Sequence, residues 1–405
     1  MAAVHFEMVS FHEEENSIVV NLYKIFELVI PKAAFSSQIH AKGNVLTIEE
    51  TSEEEVRERF RVMFTTYLPG LRSIVTKKPA YFIHGNSGIP LIGSLAFGIV
   101  DRGTNMLEVK PITGCNINCT FCSVDEGDDS RKSRDYVVER EYLVRELEKV
   151  LAFKEEIMDI WLNTQGEPTL YAELIQLIGD IRHLRLVGKI ALITNGTLLS
   201  KYFLTEVKEA GLGQLDVSIN AISDKKSKEL AGTNRYNSAQ VRDMVEHAIQ
   251  IGIDVVIAPV YLKGVNEQDI KDIVAFAQSI GCKKVYVQNF LLYRFGRNPT
   301  KQVRWKAFGK FLTELQSTYP AIDLFAKDHT LKNTKPLPKP FKTGECVEAV
   351  VVVPGRYPDE LLAAAKGRCI TLREMKGLDN IGKKIKITIT RDKDNIFYGK
   401  AENKK

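Results

Sequence analysis

Leu107-Glu108-Val109-Lys110-Pro111-Ile112-Thr113-Gly114-Cys115-Asn116-Ile117-Asn118-Cys119-Thr120-Phe121-Cys122 is an apolar, strand-like run that breaks at a glycine into three closely spaced cysteines. The thiols therefore sit on a tight loop at the C-terminal end of a strand, the end that forms the active face of α/β barrels. A four-iron cluster normally takes four thiolates, so three in one loop leave one iron open to another ligand. A zinc site would need a fourth ligand nearby, yet the next histidine is His183 and the next cysteine Cys282. A third reading, three buried structural cysteines, sits poorly with the polar Asn116, Asn118 and Thr120 between them.

Outward from this loop, apolar runs of strand length alternate with amphipathic helical segments, the rhythm of βα units and a parallel sheet. Strands are expected at 107–112, 159–163, 189–194, 215–219, 254–261 and 284–290, with helices at 136–153, 172–183, 200–210, 239–251 and 267–280. The fold class is α/β: a partial (βα)6 TIM-like barrel with a small N-terminal α/β domain and a small C-terminal β-barrel of TRAM or OB type. The expected boundaries are 1–85 for the N-terminal domain, 86–331 for the barrel with its basic extension, 332–345 for a Pro/Lys-rich linker and 346–405 for the small barrel. The N-terminal domain is expected to contain a charged helix at 53–67.

The chain has 405 residues, 44% of them apolar, enough to bury more than one core. No run of 18 apolar residues occurs, and acids stand where a secretory signal would be basic and then apolar, so a soluble, cytoplasmic protein without membrane association is expected. Six cysteines, three of them crowded into eight positions, read as a ligand set in a reducing compartment. The net charge of +5 hides an uneven distribution: Arg294 to Lys342 carries 11 basic and 3 acidic residues, and the last 23 residues carry 8 and 3.

The CxxxCxxC spacing of Cys115, Cys119 and Cys122, with Phe121 before the last, resembles the radical S-adenosylmethionine (SAM) superfamily. That resemblance implies a [4Fe-4S] cluster whose free iron binds the amino and carboxylate groups of SAM, and an electron that cleaves the sulfonium to methionine and a 5′-deoxyadenosyl radical. Gln165-Gly166-Glu167 resembles the family's Gly-Gly-Glu motif for the methionine amino group, with Gln165 replacing the first glycine. Gly166 permits close backbone approach and Glu167 can accept from an ammonium. The resemblance implies that the polar strand tips at Asn195, Ser218 and Asn220 bond the ribose and carboxylate of the cofactor, and Tyr261 and Asn289 continue the series at strands five and six as further expected cofactor contacts. Each tip alone is ordinary turn chemistry; the resemblance covers roughly 107–292.

Basic and aromatic residues interleave at Arg294, Arg297, Arg304, Trp305, Lys306 and Phe308, suiting contact with phosphates and unpaired bases. The alternative is an amphipathic helix with Trp305, Phe308 and Leu312 facing the core. The segment 346–401 resembles a TRAM domain at 382–387 and 397–401, with an atypical insertion from Arg356 to Lys366, and Lys383, Lys384 and Lys386 are expected to touch RNA. Residues 1–114 contain no cysteine, which argues against the second cluster of the methylthiotransferases and leaves methylation of a base carbon in rRNA or tRNA as the expected reaction. In one class of such methylases a cysteine carries the methyl group, a role open here to Cys346 or Cys369; Cys282 is expected to be structural. An electron donor such as ferredoxin or flavodoxin is implied. The alternatives are a non-methylating RNA base modification, a peptide- or protein-modifying radical enzyme, and a domain that binds RNA without catalysis.

Overall fold

The computed structural model describes residues 2–6, 9–35, 38–49, 51–325 and 331–402. The N-terminal region folds as two small antiparallel sheets around one helix. Strands β1 (Ala2–His5), β5 (Ile39–Lys42) and β6 (Val45–Ile48) form one sheet; β2 (Val9–Glu13), β3 (Ser17–Leu22), β4 (Phe26–Pro31) and β7 (Arg72–Ser73) form the other. Strict alternation buries Ile18, Val20 and Leu22 on one face of β3. Helix α1 (Glu53–Tyr67) starts where Ser52 accepts a hydrogen bond from Glu55 N, has three acids in its first turn, and buries Val56 and Phe60.

The central sheet contains β9 (Gly98–Asp101), β10 (Met106–Lys110), β13 (Met158–Leu162), β15 (Val187–Thr194), β16 (Gln214–Val217), β17 (Asp254–Ile257) and β19 (Lys284–Val285) in the spatial order β19-β17-β16-β15-β13-β10-β9. All but β9 run parallel, so the six expected strands are present in chain order, in an open sheet with an antiparallel edge. Two short parallel pairs extend it at the C-terminal ends: β11 (Thr113–Gly114) with β14 (Gln165–Gly166), and β18 (Val260–Tyr261) with β20 (Gln288–Asn289). Between strands lie α2 (Arg140–Lys154), α3 (Leu174–His183), α4 (Lys201–Glu209), α5 (Asp224–Ala231), α6 (Ser238–Gln250) and α7 (Glu267–Ser279), followed by α8 (Trp305–Thr318). Helix α2 starts four residues later than expected. Asp135–Val138 is instead strand β12, paired in parallel with β8 (Ala80–Ile83), because Tyr136, Val137 and Val138 are all fully buried and cannot share one helix face.

Residues 346–401 form a closed five-stranded barrel: β21 (Cys346–Pro354), β22 (Glu360–Ala365), β23 (Arg368–Arg373), β24 (Lys384–Arg391) and β25 (Tyr398–Ala401), ordered β21-β22-β23-β25-β24. Most of the expected insertion at 356–366 is thus a wall of the barrel, strand β22. Its core of Val347, Ala349, Val351, Leu361, Ile370, Ile387 and Phe397 is separate from the main core, and Phe341 at the end of the linker inserts into it.

The linker is pinned rather than free. Fully buried Lys154 pairs with Asp101 at 2.8 Å and donates to Thr334 Oγ1 at 3.0 Å and Lys335 O at 2.8 Å. The barrel then docks by backbone contacts, Cys369 N to Ile92 O at 2.8 Å and Phe397 N to Gly93 O at 3.0 Å. Gly93 has a φ of +125°, and a Cβ there would lie 2.0 Å from Cys369 O, so only glycine allows this approach.

Candidate active site

The cysteine loop is held from three sides. Asn118 N donates to Ala231 O at 2.9 Å and Thr120 N to Leu230 O at 3.0 Å, seating it on the end of α5. Arg297 straps it from above: its backbone N donates to Cys122 O at 2.8 Å, Nη1 to Cys119 O at 3.2 Å and Nε to Asp125 Oδ1 at 2.9 Å. Asn195 Nδ2 lies 3.8 Å from Cys115 Sγ, and Glu126 N donates to Cys122 Sγ at 3.3 Å.

All three cysteines line one cavity of about 420 Å³ at the C-terminal ends of the strands, together with Phe121, Gly166, Glu167, Asn195, Ser218, Asn220 and Asn289. Gly166 has a φ of +142°, and a Cβ there would fall 1.9 Å from Gly114 O, so the close approach its sequence context suggested is to the strand leading into Cys115. Glu167 is buried, and its Oε1 accepts from Thr169 N at 3.0 Å, Thr169 Oγ1 at 2.6 Å and Thr194 Oγ1 at 2.6 Å; Oε2 accepts from Asn195 N at 2.7 Å. Burial pushes this carboxyl up against those bonds. Glu167 therefore spends most of its acceptor capacity tying strand ends together, and Oε2 keeps a lone pair for a ligand. Asn195 Oδ1 accepts from Thr197, and Asn220 Oδ1 accepts from Val260 N at 2.9 Å. Asn289 Nδ2 donates to Val303 O at 2.9 Å while its buried Oδ1 has no partner.

Two residues expected at the cofactor lie elsewhere. Tyr261 stacks on Phe311 at 4.5 Å and packs on Phe308 at 5.8 Å, because an apolar ring at that strand end is covered by α8. Gln165 lines an adjoining cavity and accepts from Lys132 Nζ at 3.3 Å.

The donor set fits an iron-sulfur cluster. Burial, with Glu167 and Cys119 nearby, pushes the Cys115 thiol well up, and burial with neighbouring Cys122 pushes Cys119 up to about 12. These thiols thus sit where a thiolate needs adjacent positive metal charge, and coordination deprotonates a thiol. Among the described residues no three His, Cys, Asp or Glu side chains converge to hold a single metal ion. A cluster does not need that convergence, since each thiolate takes its own iron. Cys115, Cys119 and Cys122 would hold it, and the polar strand ends would hold SAM; together the two supply a one-electron cleavage.

The residues expected at RNA and at the methyl group are scattered. Arg294, Arg304 and Lys306 are exposed, whereas Arg297 is occupied at the cysteine loop. Helix α8 buries Phe308, Leu312 and Leu315 but leaves Trp305 62% exposed. Lys383 pairs with Asp379 and Lys384 with Glu348, while Lys386 is exposed on β24. Cys346 is exposed at the start of β21, and the opposite end of that strand meets the cysteine-loop domain, where Tyr136 OH donates to Pro354 O at 2.7 Å. Eight residues of strand place Cys346 roughly 26 Å away from that contact. Cys369 is fully buried, its thiol pushed up to about 12. Neither is brought to the cofactor cavity. Cys282 is buried and bonded to Val255 O and Lys284 O.

Sequence reasoning missed Tyr236 and helix α5, both of which touch the cavity or the loop; Ser223 and Gly232 flank α5 as caps and could have revealed it. It also missed Arg356, which is buried and pairs with Glu126 at 2.9 Å and Asp135 at 3.2 Å, bolting the barrel to the cysteine loop. No local signal marks that arginine.

The family profile described as Radical SAM superfamily matches residues 109–277. An uncharacterized protein of Methanocaldococcus jannaschii is 32% identical over 95% of this chain and 95% of its own length. The GTP 3′,8-cyclase of Aquifex aeolicus is 28% identical over 47% of this chain, which spans 58% of that enzyme, and a probable GTP 3′,8-cyclase of Pyrococcus abyssi is 31% identical over 44% and 55%. Among solved structures, the FeFe-hydrogenase maturase HydG from Carboxydothermus hydrogenoformans has a TM-score of 0.45 at 17% identity over 54% of this chain and 52% of that one, too low for a functional comparison. Residues 109–277, which contain the cysteine loop and the strand ends, thus form a domain of the radical SAM superfamily, whose enzymes use a [4Fe-4S] cluster and SAM.

Proposed function

We propose that this radical SAM enzyme modifies a base carbon in structured RNA, rRNA or tRNA, with methylation the favoured reaction. The observation that carries the reading is the course of residues 293–304. Tyr293 lines the cofactor cavity, Arg297 grips the cysteine loop, and Val303 O receives the Asn289 side chain, so this segment forms one rim of the cavity. Arg294 and Arg304 on the rim and Lys306 and Trp305 just beyond it are exposed, which offers phosphates cations and an unpaired base a ring beside the radical source. Residues 1–114 hold no cysteine for a second cluster, which disfavours methylthiolation. The positions of Cys346 and Cys369 favour a route in which neither carries the methyl group.

The test is mass spectrometry of rRNA and tRNA nucleosides from a deletion strain, paired with SAM cleavage by the reconstituted protein. One modified nucleoside should disappear and return on complementation. An unchanged nucleoside profile alongside robust SAM cleavage would remove RNA as the substrate and favour a peptide or protein target.

A further inference from the structure

Beside the cofactor cavity lies a second one of about 610 Å³, an open cleft lined by both the central domain and the C-terminal barrel. That is the size of a small-molecule site, and such sites favour domain interfaces. The two cavities share Ser123, Val124, Asn163, Thr164 and Tyr293 as common wall, so a ligand in the second can extend a reacting atom toward the first.

Its walls have two characters. One is a set of flat faces: the Arg373 guanidinium lies 4.2 Å from the Tyr398 ring and 4.9 Å from Phe295, which in turn packs 5.4 Å from Tyr357. Rings and guanidinium planes arranged this way stack flat aromatic ligands. The other is a set of donors lacking acceptors. Arg356, 5% exposed, spends Nη2 on Glu126 and Asp135 and leaves Nε and Nη1 unpartnered; Thr164 Oγ1 on the same wall also lacks a hydrogen-bond partner. The acids that line the cavity are already engaged: Glu108 by Arg102 at 2.6 Å and Lys110 at 2.7 Å, and Glu360 by Arg373 at 3.5 Å. Buried donors without acceptors are costly, and an anion rich in acceptor atoms relieves that cost.

We propose that this interdomain cavity binds a nucleotide, its base against the Phe295, Arg373 and Tyr398 faces and its phosphate on the unused donors of Arg356 and Thr164. The nucleotide is either free or flipped out of an RNA strand. In its RNA form the inference rests on the function proposed above.

Calorimetry on the full-length reconstituted protein tests it with three probes: nucleoside 5′-monophosphates, the matching nucleosides, and a short single-stranded RNA. A monophosphate should bind at least about tenfold more tightly than its nucleoside, given the worth of charge-assisted bonds. Arg373→Gln and Arg356→Lys should each weaken it about tenfold, with cluster absorbance as in the parent and, for Arg373→Gln, the parent's melting midpoint. Equal affinity for nucleoside and monophosphate, or unchanged binding in Arg373→Gln, would overturn the site; because Arg373 is partly exposed, its variant remains informative if Arg356→Lys destabilises the fold. Tight monophosphate binding with no nucleoside lost from the deletion strain would keep the cavity and remove the RNA reading. RNA modification that Arg373→Gln leaves intact, with unchanged nucleotide binding, would do the reverse.

Discussion

Cysteines occur in two regions of this chain and meet opposite fates. On the central domain, three lie on an irregular loop that leaves their side chains facing one cavity, while the loop's backbone is held by α5 and Arg297. On the C-terminal barrel, two lie on regular strands, where the pleat sends one to solvent at a strand end and the other into a sealed core. A strand dictates the direction of its side chains by alternation alone, whereas a loop held by other elements can turn several to one point. Thiol chemistry therefore belongs to the central loop, and the barrel contributes arginines and tyrosines to a neighbouring cavity instead.

The largest expected effect breaks the first half of that comparison. Cys115→Ala should remove the visible absorbance of the reconstituted cluster and reduce SAM cleavage to background; a variant that kept both would mean that the loop is not the cluster site. Next, Arg356→Met tests the bolt between the regions. It leaves Glu126 and Asp135 buried beside an apolar side chain, and removing one partner of a buried pair costs about 3–5 kcal/mol. Denaturant unfolding should show that loss, and a loss under about 1 kcal/mol would mean that the barrel is held chiefly by its backbone contacts.

Arg297→Gln sharpens the role of the strap. Supporting groups around metal ligands are typically worth about 10–100-fold in affinity, so the variant should lose its cluster to a chelator faster by a factor in that range while its unfolding midpoint moves little. Equal loss rates would leave Arg297 as a surface contact. The smallest effects belong to the barrel cysteines. Cys346→Ala should leave turnover unchanged, and Cys369→Ala should cost about 1 kcal/mol of stability from the small cavity it creates, again without loss of turnover. Abolished product formation with intact SAM cleavage in either variant would return that cysteine to the chemistry.

The sequence by itself was enough to locate the cysteine loop, the six parallel strands and the polar strand tips. Each is a local pattern: ligand spacing, apolar runs of strand length, and turn residues where they end. It located the N-terminal helix for the same reason, since Ser52 and the acids after it form a start signal that needs no partner. Three features required the tertiary structure. Tyr136 to Val138 had the apolar spacing of a helix start but was taken by β8, a pairing across more than fifty residues. Arg297 is one basic residue among several in its segment, and only the packing of that segment against Cys119, Cys122 and Asp125 separates it from its exposed neighbours. Arg356 fell within an apparent insertion, and its function as a bolt exists because Glu126 and Asp135 arrive from over two hundred residues away. Periodicity and spacing describe what a residue does for its own element; the meeting of charges, rings and thiols from distant elements depends on how those elements pack.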